Sequence, residues 1–527
     1  MSLLNRHNLL VLIFLCPLFT VLTIISCSSF NKLDGFVYLR INANPTTLDP
    51  AFITDVTGGA ISAKLFNGLV KLNSALEVTP DIAKNWEITN NGLTYRFYLN
   101  KDVYFHNGQK LTSADVAYSF KRVLSPTTQS PNTWVLRQIQ GADDYLNNRT
   151  SDLSGISIID NYTIEITLSK PMSAFLKLLT MPAAYIVPKK ETEQLGQNFS
   201  SSPVGTGPFT LKQWTQSIEI TLQRFNNYFD KEANVKGIVY RIIPENLTSI
   251  TEFLLGNLDI LEIPIEAYSM LKNNDKYAAL IATSKSLNTY YLGLNMSDRS
   301  PFKNIDLRKA LYYAIDINKI LETYFQNRGR RAKGILPDEL RKYSLENPYR
   351  FDANKARQLI KQSGFESTIK FYVTAIQESV DMAEIIAYYL KEAGLNIEIV
   401  MLEWSAYKEA INNAEADMFW LSWWADYPDA ENFLFPLLHS SNFGVGGNRA
   451  RYENPKVDAL IEKLQKSIKL EEINKTAKEI EELTLNDVPY ILFWHRNDYI
   501  AYQPWIANLN VYPIYNIDKG NDVKRLR

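Results

Sequence analysis

Apolar and polar residues alternate with clear helix and strand periods between residues 368 and 424. The pattern predicts five elements in the order strand, helix, strand, helix, strand: 368–373, 380–393, 395–402, 405–413 and 418–424. Gly394 follows the first helix, at the position where helices commonly end on glycine. Strands that alternate with helices at this spacing favour a parallel sheet covered on both faces, which is an α/β fold.

Further stretches predict elements outside this region. Residues 93–99 and 164–168 alternate as half-buried strands do, and an Asn-Asn-Gly turn precedes the first of them. Thr112 and Asp115 have the spacing of a capping box, which predicts the start of a helix. The chain ends with two predicted helices and a strand: 454–469, 471–486 and 490–494.

The N-terminus has the pattern of an export signal. Arg6 precedes an apolar run, and the residues that end at Cys27 resemble the bacterial lipobox, in which the cysteine is acylated and the chain is cut before it. This predicts a lipoprotein signal peptide at 1–26, lipidation at Cys27 and a lipidated tether at 27–35. An uncleaved signal anchor is the alternative. No apolar run of 18 residues follows Cys27, so membrane attachment is expected through acyl chains.

The remaining composition is that of an ordinary globular chain. Hydrophobic residues make up 46% and charged residues 21% of the 527, which excludes disorder and coiled coil. The 56 basic and 57 acidic residues leave a net charge of −1, so no basic field exists to hold nucleic acid. Two cysteines exclude a disulfide framework. The 9 Trp, 30 Tyr and 25 Phe favour large buried pockets or a ligand cleft.

Sequence motifs of catalysis are missing. The chain contains no G-x-G-x-x-G, G-x-x-x-x-G-K-[ST], H-E-x-x-H or G-x-S-x-G motif. His106, His439 and His495 are far apart in sequence, and the acidic string at 426–431 lacks the spacing of a calcium loop. We therefore expect no catalytic residue, no cofactor and no metal site.

One segment carries a positive chemical signal. The apolar strand predicted at 418–424 runs directly into a loop with Asp426, and ligands of open α/β sheets lie at the carboxyl ends of strands. A carboxylate among Trp423, Trp424 and Tyr427 is suited to a cationic amine, through a charged hydrogen bond and cation–π contacts. The alternative is that the tryptophans belong to the core and Asp426 caps the next helix.

Seven short blocks in order identify a family resemblance over nearly the whole chain. The blocks are 44–50 (NPTTLDP), 65–69 (LFNGL), 82–88 (IAKNWEI), 103–108 (VYFHNG), 111–116 (LTSADV), 204–209 (VGTGPF) and 307–311 (LRKAL). With them the sequence resembles the solute-binding proteins of bacterial dipeptide and oligopeptide ABC importers, the extracellular solute-binding protein family 5.

The resemblance implies an α/β, two-lobed periplasmic-binding-protein fold of type II, in its large three-domain variant, with a hinge and a ligand cleft between the lobes. It places lobe I at 36–66, 190–287 and 494–527, an extra sub-domain at 67–189, and lobe II at 288–493. A monomer is expected. Its partners would be a peptide ligand, an ABC permease with its ATPase subunits, and the membrane through the lipid on Cys27.

The same resemblance implies a set of ligand-binding residues. Asp426 matches the aspartate that binds a peptide α-amino group, Trp404 and Trp423 match pocket tryptophans, and Tyr291 matches a pocket tyrosine. The segments that flank the peptide main chain run from Thr54 to Val56 and from Ser422 to Trp424. The sequence departs from the enteric pattern at four ligand-contacting positions: Ile411 and Trp420 replace two arginines that meet the ligand carboxylate, Asn132 replaces a tyrosine, and Glu262 replaces an asparagine. Asn288 and Trp424 also stand where that pattern has the two cysteines of a cross-lobe disulfide.

The function implied is capture of peptides by a lipid-anchored protein of the cell envelope, facing the periplasm or the exterior, for import by an ABC permease. Two alternatives remain open. The same fold can bind a non-peptide solute such as nickel, haem or a sugar, and some envelope lipoproteins of this kind act in adhesion or sensing.

Overall fold

A computed structural model describes residues 32–526. The predicted signal peptide at 1–26 and Cys27 lie outside the described residues, and the predicted tether at 27–35 is described from residue 32 onward. Two elements open the segment predicted as lobe I: β1 (Phe36–Ile41) and α1 (Val56–Leu65).

The extra sub-domain is a small antiparallel sheet with short helices. Its strands are β2 (Val70–Leu72), β3 (Val78–Pro80), β4 (Ala83–Thr89), β5 (Thr94–Leu99), β6 (Ile156–Asp160) and β7 (Thr163–Thr167). Its helices are α2 (Ser113–Leu124), α3 (Ala142–Leu146) and α4 (Phe175–Leu178), and α5 (Lys189–Leu195) leads out of it. The four longer strands are ordered β4-β5-β7-β6. The predicted capping box is confirmed, because Thr112 and Asp115 bond each other's backbone where α2 begins.

Lobe I then continues with five strands and two helices. The strands are β8 (Phe209–Thr215), β9 (Glu219–Arg224), β10 (Gly237–Ile242), β11 (Ile260–Glu262) and β12 (Ile281–Lys285). The helices are α6 (Asn246–Leu254) and α7 (Ile265–Lys272).

Lobe II contains most of the helices. Its strands are β13 (Asn288–Leu294), β14 (Gly329–Arg331), β15 (Thr368–Thr374), β16 (Asn396–Leu402) and β17 (Met418–Trp424), and the chain then closes with β18 (Tyr490–Tyr502), β19 (Ile506–Ala507) and β20 (Lys524–Arg525). Its helices are α8 (Ile305–Ala314), α9 (Ile317–Thr323), α10 (Ala353–Ser363), α11 (Gln377–Glu392), α12 (Trp404–Asn412), α13 (Glu431–Leu438), α14 (Pro455–Lys466) and α15 (Leu470–Asp487).

The main sheet is mixed, and the parallel arrangement predicted for its strands between 368 and 424 is confirmed. β15 runs parallel to both β16 and β17, as the alternating strands and helices predict. β13 and β18 are antiparallel, and β13 also runs antiparallel to β17. Parallel neighbours need a crossover connection between them, usually a helix. β13 and β17 are not joined by such a strand-helix-strand unit, so the local pattern does not predict a parallel direction for this pair. The prediction of an α/β fold is confirmed.

β18 joins the two lobes. Its first half pairs with β13 in lobe II and its second half pairs with β11 and β12 in lobe I. The predicted boundary at 493/494 therefore lies inside one continuous strand. Asn288, at the start of β13, bonds the backbone of Arg496 in both directions, since its side chain accepts from the Arg496 amide at 2.7 Å and donates to the Arg496 carbonyl at 3.2 Å. These bonds fix the crossing point of the two strands.

The buried apolar residues separate into clusters that follow these parts of the chain. The largest lies within 291–494, a second within 69–186 with two contributions from elsewhere, and a third joins β1 to β8–β11 and Ile506. One outside contribution to the second cluster is Tyr427 of lobe II, which is 4% exposed. Between residues 32 and 526, none of the helices combines the length and the hydropathy of a membrane span.

Candidate ligand-binding site

Asp426 lies in the loop after β17, at the carboxyl end of that strand. Its amide donates to the side-chain oxygen of Asn432 at 2.9 Å, and the indole of Trp423 donates to the Asn432 carbonyl at 2.8 Å. Asn432 is buried on α13 and so fixes the loop from below. Asp426 does not cap α13, whose N-cap residue is Ala430; the side chain of Asp429, one residue earlier, accepts from the Glu431 amide at 2.9 Å.

The Asp426 carboxylate is exposed and has no cationic partner among the described residues. Desolvation by the surrounding walls raises its pKa above the ordinary aspartate value, and a hydrogen bond from Asn432 opposes the shift. Burial raises the pKa of Tyr515, and the negative charges of Asp426 and of Asp55 in lobe I raise it further. Tyr515 therefore lies close to both carboxylates. Asp426 therefore faces lobe I across Tyr515 as an uncompensated negative charge.

A cavity of about 770 Å³ lies beside Asp426, between lobe II and the extra sub-domain. Much of its wall is aromatic or apolar, with Trp134, Met172, Trp423, Tyr427, Phe435 and His439 among its residues. A volume of this size is within the usual range for ligand pockets.

A second cavity of about 790 Å³ lies between lobe I and lobe II, and we call it the acidic chamber. Four carboxylates line it, against two guanidinium groups: Glu262, Glu266, Glu378, Asp381, Arg40 and Arg496. Arg40 donates to two backbone carbonyls at 2.7 Å, and Arg496 lies 3.6 Å from Glu378. In the part of the chain that the structure describes, no group of three or more His, Cys, Asp or Glu is arranged to hold a metal ion.

The residues predicted on β17 lie on two faces of the strand. Trp423 lines the cavity beside Asp426. Trp424 is 43% exposed, points to the other face and donates to the Ser422 hydroxyl at 3.2 Å. Tyr290, on β13, contacts Trp424 with ring centroids 6.4 Å apart. Side chains alternate along a strand, so neighbouring tryptophans cannot line one surface.

The other predicted residues are more scattered. Tyr291 is 1% exposed and packs on Tyr490 in the lobe II core, with ring centroids 4.7 Å apart. Trp404 is 48% exposed on α12 and stacks on Tyr407, and it lines neither cavity. Thr54 and Val56 are exposed on either side of Asp55, whose side chain caps α1, and the next residue, Thr57, lines the acidic chamber.

Sequence reasoning missed several residues that lie near the predicted site or line one of the cavities, namely Tyr290, Tyr515 and Arg496. Tyr290 is within hydrogen-bonding reach of Arg496 and Ser422, and burial raises its pKa. Tyr515 approaches α1 so closely that a Cβ on Gly59 would lie 2.3 Å from its ring. Of the four departures, Ile411 and Trp420 are buried in the core, Asn132 bonds the carbonyls of Ala51 and Ile53, and Glu262 lines the chamber. Strand alternation signals Tyr290, whereas no local pattern signals Tyr515 or Arg496.

Comparisons with known proteins agree with this architecture. The family model of the bacterial extracellular solute-binding proteins, family 5, matches residues 77–445. Heme-binding protein A of Haemophilus influenzae is 29% identical over 495 residues, with 89% of each chain covered. The periplasmic oligopeptide-binding protein OppA of Escherichia coli is 26% identical over 484 residues, covering 88% of this chain and 87% of that protein.

The fold is also that of a solved periplasmic binding protein. The structure of DppA from Helicobacter pylori in complex with a peptide superposes with a TM-score of 0.77 at 24% identity, covering 93% of this chain and 98% of that one. The chain therefore belongs to the family 5 bacterial extracellular solute-binding proteins, which deliver ligands to ABC importers and are not enzymes.

Proposed function

We propose that this protein binds peptides in the cleft between its lobes and holds their α-amino group on Asp426. One observation carries the proposal: an exposed aspartate at a strand end, beside aromatic rings, that forms no ion pair among the described residues. A protonated amine supplies the missing charge and forms charged hydrogen bonds. The similarity to the oligopeptide-binding protein OppA and to DppA, whose structure holds a peptide, supports a peptide as the ligand.

The test compares a tripeptide with its N-acetylated form by calorimetry. Losing one charged hydrogen bond in a closed cleft should weaken binding by about 2–5 kcal/mol. The Asp426→Asn variant keeps the shape and should bind the free peptide as weakly as the wild type binds the acetylated one. Asp102→Asn, on an exposed loop of the extra sub-domain, is the matched control and should bind normally. Equal binding of free and acetylated peptide by the wild type refutes the amine anchor.

A non-peptide solute is the competing function, and the name of heme-binding protein A is the observation that favours it. Gentle unfolding, followed by mass spectrometry of the released small molecules, identifies the ligand that co-purifies. A peptide there supports the proposal. Haem or another solute, together with saturable binding of that compound by the refolded protein, replaces it.

We also propose that the protein is anchored in the cell envelope through a lipid on Cys27, because the sequence before it matches a lipobox. Cys27→Ala should abolish fatty-acid labelling and release the protein from membranes. Labelling that persists in this variant would contradict the anchor.

A further inference from the structure

A third cavity lies within lobe II and is separate from the two described above. It measures about 250 Å³ and shares no lining residue with either of them. Its wall comes from the end of α8, the start of α9, β14 and the segment that precedes α10. The volume is below the usual range for drug-sized ligands, so the cavity suits a molecule smaller than a peptide.

Arg331, which lines this cavity, is a half-buried cation that forms no ion pair among residues 32–526. Its Nη1 donates to the Phe493 carbonyl at 2.9 Å and also to the Leu492 carbonyl of β18. In the same described range, no carbonyl or carboxylate accepts from its Nε or Nη2. The Nε–Nη2 edge of a guanidinium matches the two oxygens of a carboxylate, so this edge is available to an anion.

The surroundings of Arg331 do not neutralise its charge. Burial lowers the pKa of Arg331, and the nearby charge of Arg350 adds to the shift. The Tyr312 hydroxyl is within hydrogen-bonding reach of Arg331, but its oxygen already accepts from the Leu492 amide at 2.8 Å and from the Asn347 side chain at 3.1 Å. Burial also raises the pKa of Tyr312, so the hydroxyl stays protonated and supplies no negative charge.

The other charged side chains of the wall leave a positive excess. Lys333 Nζ lies 3.2 Å from Glu346 and Arg350 Nη2 lies 4.0 Å from the same residue, so one carboxylate serves two cations. Asp316 caps α9 by accepting from the Lys319 amide at 3.0 Å. Three cations therefore line the cavity against two carboxylates. One monovalent anion balances this charge, whereas a divalent anion would be repelled by the two carboxylates.

The rest of the wall includes apolar and aromatic surface. Tyr349 is buried and stacks on Tyr312 with ring centroids 4.4 Å apart, and Ile315 and Ile317 are buried beside it. Phe351 is 47% exposed, so its ring has surface left to cover. Burial of such surface against an apolar group is favourable, and aromatic rings also gain from contact with other rings.

We propose that this cavity is a second binding site, which takes a small carboxylic acid with an apolar or aromatic body. The carboxylate pairs with the Nε–Nη2 edge of Arg331, and the body lies against Tyr349 and Phe351. The site goes beyond the proposed function, because no residue lines both this cavity and either cavity of the ligand cleft.

Equilibrium dialysis of radiolabelled benzoate against the purified protein, at constant ionic strength in chloride, tests the site. Benzoate should bind saturably, one molecule per chain. Acetate should displace it only at concentrations about tenfold higher or more, because acetate lacks the ring that the cavity covers. Inorganic phosphate at pH 8, where it is mostly divalent, should displace benzoate less well than acetate does.

Two variants locate the binding in this cavity. Arg331→Gln removes the guanidinium and should weaken benzoate binding at least tenfold. Asn318 lines the cavity and is exposed, so Asn318→Trp fills the space, leaves Arg331 in place and should abolish saturable binding. Arg149→Gln, at an exposed ion pair of the extra sub-domain, is the matched control and should bind benzoate normally. Should Arg331→Gln fail to fold, Asn318→Trp still decides.

Absence of saturable benzoate binding by the wild type, or binding that survives Asn318→Trp, overturns the site. Displacement by phosphate at lower concentrations than by acetate overturns the carboxylic acid as the ligand class. Asn318→Trp should keep the peptide affinity of the wild type, and loss of peptide binding in this variant overturns the independence of the two sites. No step of this test uses Asp426, so failure of the peptide proposal leaves the benzoate result unchanged.

Discussion

Lys177 Nζ lies 2.7 Å from the Asp429 side chain, and this ion pair joins α4 of the extra sub-domain to the loop that carries Asp426. The Asp429 side chain is 8% exposed and that of Lys177 is 30% exposed. Nearby, the Ser173 amide donates to the Gln465 carbonyl at 3.0 Å, and Tyr427 lies in the sub-domain core. The ligand loop of lobe II is thus docked on the extra sub-domain.

Lys177→Met should weaken this docking and with it ligand binding. Asp429 would remain buried without its cation in the docked state, at a cost of about 1–2 kcal/mol because the pair is partly solvated. Calorimetry should show affinity lower by about fivefold to thirtyfold. Solution scattering should give a larger radius of gyration without ligand and the wild-type value at saturation. Lys189→Met, at an exposed pair with Glu193, is the control. Unchanged affinity and scattering would show that the ion pair is incidental.

On acidification, peptide affinity should begin to fall at a higher pH than it would if Asp426 had the pKa of an ordinary aspartate. The walls of the cleft raise the pKa of Asp426 above its usual value of about 3.9, and only the ionised form binds the amine. Affinity should be constant from pH 7 down to about one unit above the raised pKa and then weaken as pH falls through it. Calorimetry from pH 7 to pH 4 measures this. The Asp426→Asn variant should lack the transition, and a wild type that is flat to pH 4 would contradict the role.

Ligands should bind without their C-terminal carboxylate. The acidic chamber holds four carboxylates against Arg40 and Arg496, whose donors are partly engaged by backbone carbonyls and by Glu378. Two cations near the position of Ile411, Lys408 on α12 and Arg449, which donates to the Asn412 side chain, line neither cavity. A peptide and its C-terminal amide should therefore differ by less than tenfold, or about 1.4 kcal/mol.

Glu378→Gln provides the reciprocal test, because it removes the carboxylate that pairs with Arg496 and leaves the guanidinium available to a ligand carboxylate. Carboxylate peptides should then gain affinity over their amides. A wild type that loses more than tenfold on amidation would instead show that a cation holds the carboxylate, and Arg496→Gln would be the first variant to make.

The free energy of unfolding should fall on acidification through His495. His495 is fully buried, its Nδ1 lies 2.8 Å from the Asn288 carbonyl, and its Nε2 has no hydrogen-bond partner within residues 32–526. Burial lowers its pKa to about 3, so the unfolded chain, with a pKa of about 6.5, binds the extra proton first. The stability contribution is complete above pH 6.5 and is lost as pH falls toward 3, by about 2 kcal/mol at pH 5.

Urea unfolding at pH 7 and pH 5 measures this loss. His495→Gln lowers the stability at both pH values, so the difference between the two is compared rather than either value. The variant should lose about 2 kcal/mol less than the wild type on acidification. An equal loss in both proteins would assign the acid sensitivity to other groups.

Local pattern determines some elements of this fold well. Strand β17 has the bounds that its apolar run predicts, since β13 pairs with all seven of its residues and the first three are buried. β18 is thirteen residues long, although only 490–494 were predicted, because the residues that follow are mostly polar and pair with lobe I at the chain's crossing point. The second half of β18 is extended because it pairs with strands that are distant in sequence, and the local periodicity of the chain does not predict such pairing.

The candidate site, like the fold, is predictable from sequence only where a single strand and its loop determine it. The strand-end rule locates Asp426, because one strand and one loop suffice to place it. The separation of Trp423 from Trp424 follows from strand alternation. The acidic chamber combines residues from β1, α7, α11 and β18, which are hundreds of residues apart. Of the residues that line the acidic chamber, only Glu262 is indicated by the sequence, and only through the family resemblance.

The crossing of β18 has a consequence for how an exported chain folds. Lobe II comes almost entirely from one continuous segment and can form as soon as that segment is available. In lobe I, β11 cannot complete its pairing until β18 has been made, since Ile260 pairs with Tyr502, more than two hundred residues later in the chain. Closing so long a loop is slow, and unpaired strand edges invite aggregation and proteolysis meanwhile. A chain truncated before residue 490 would keep lobe I permanently in that vulnerable state.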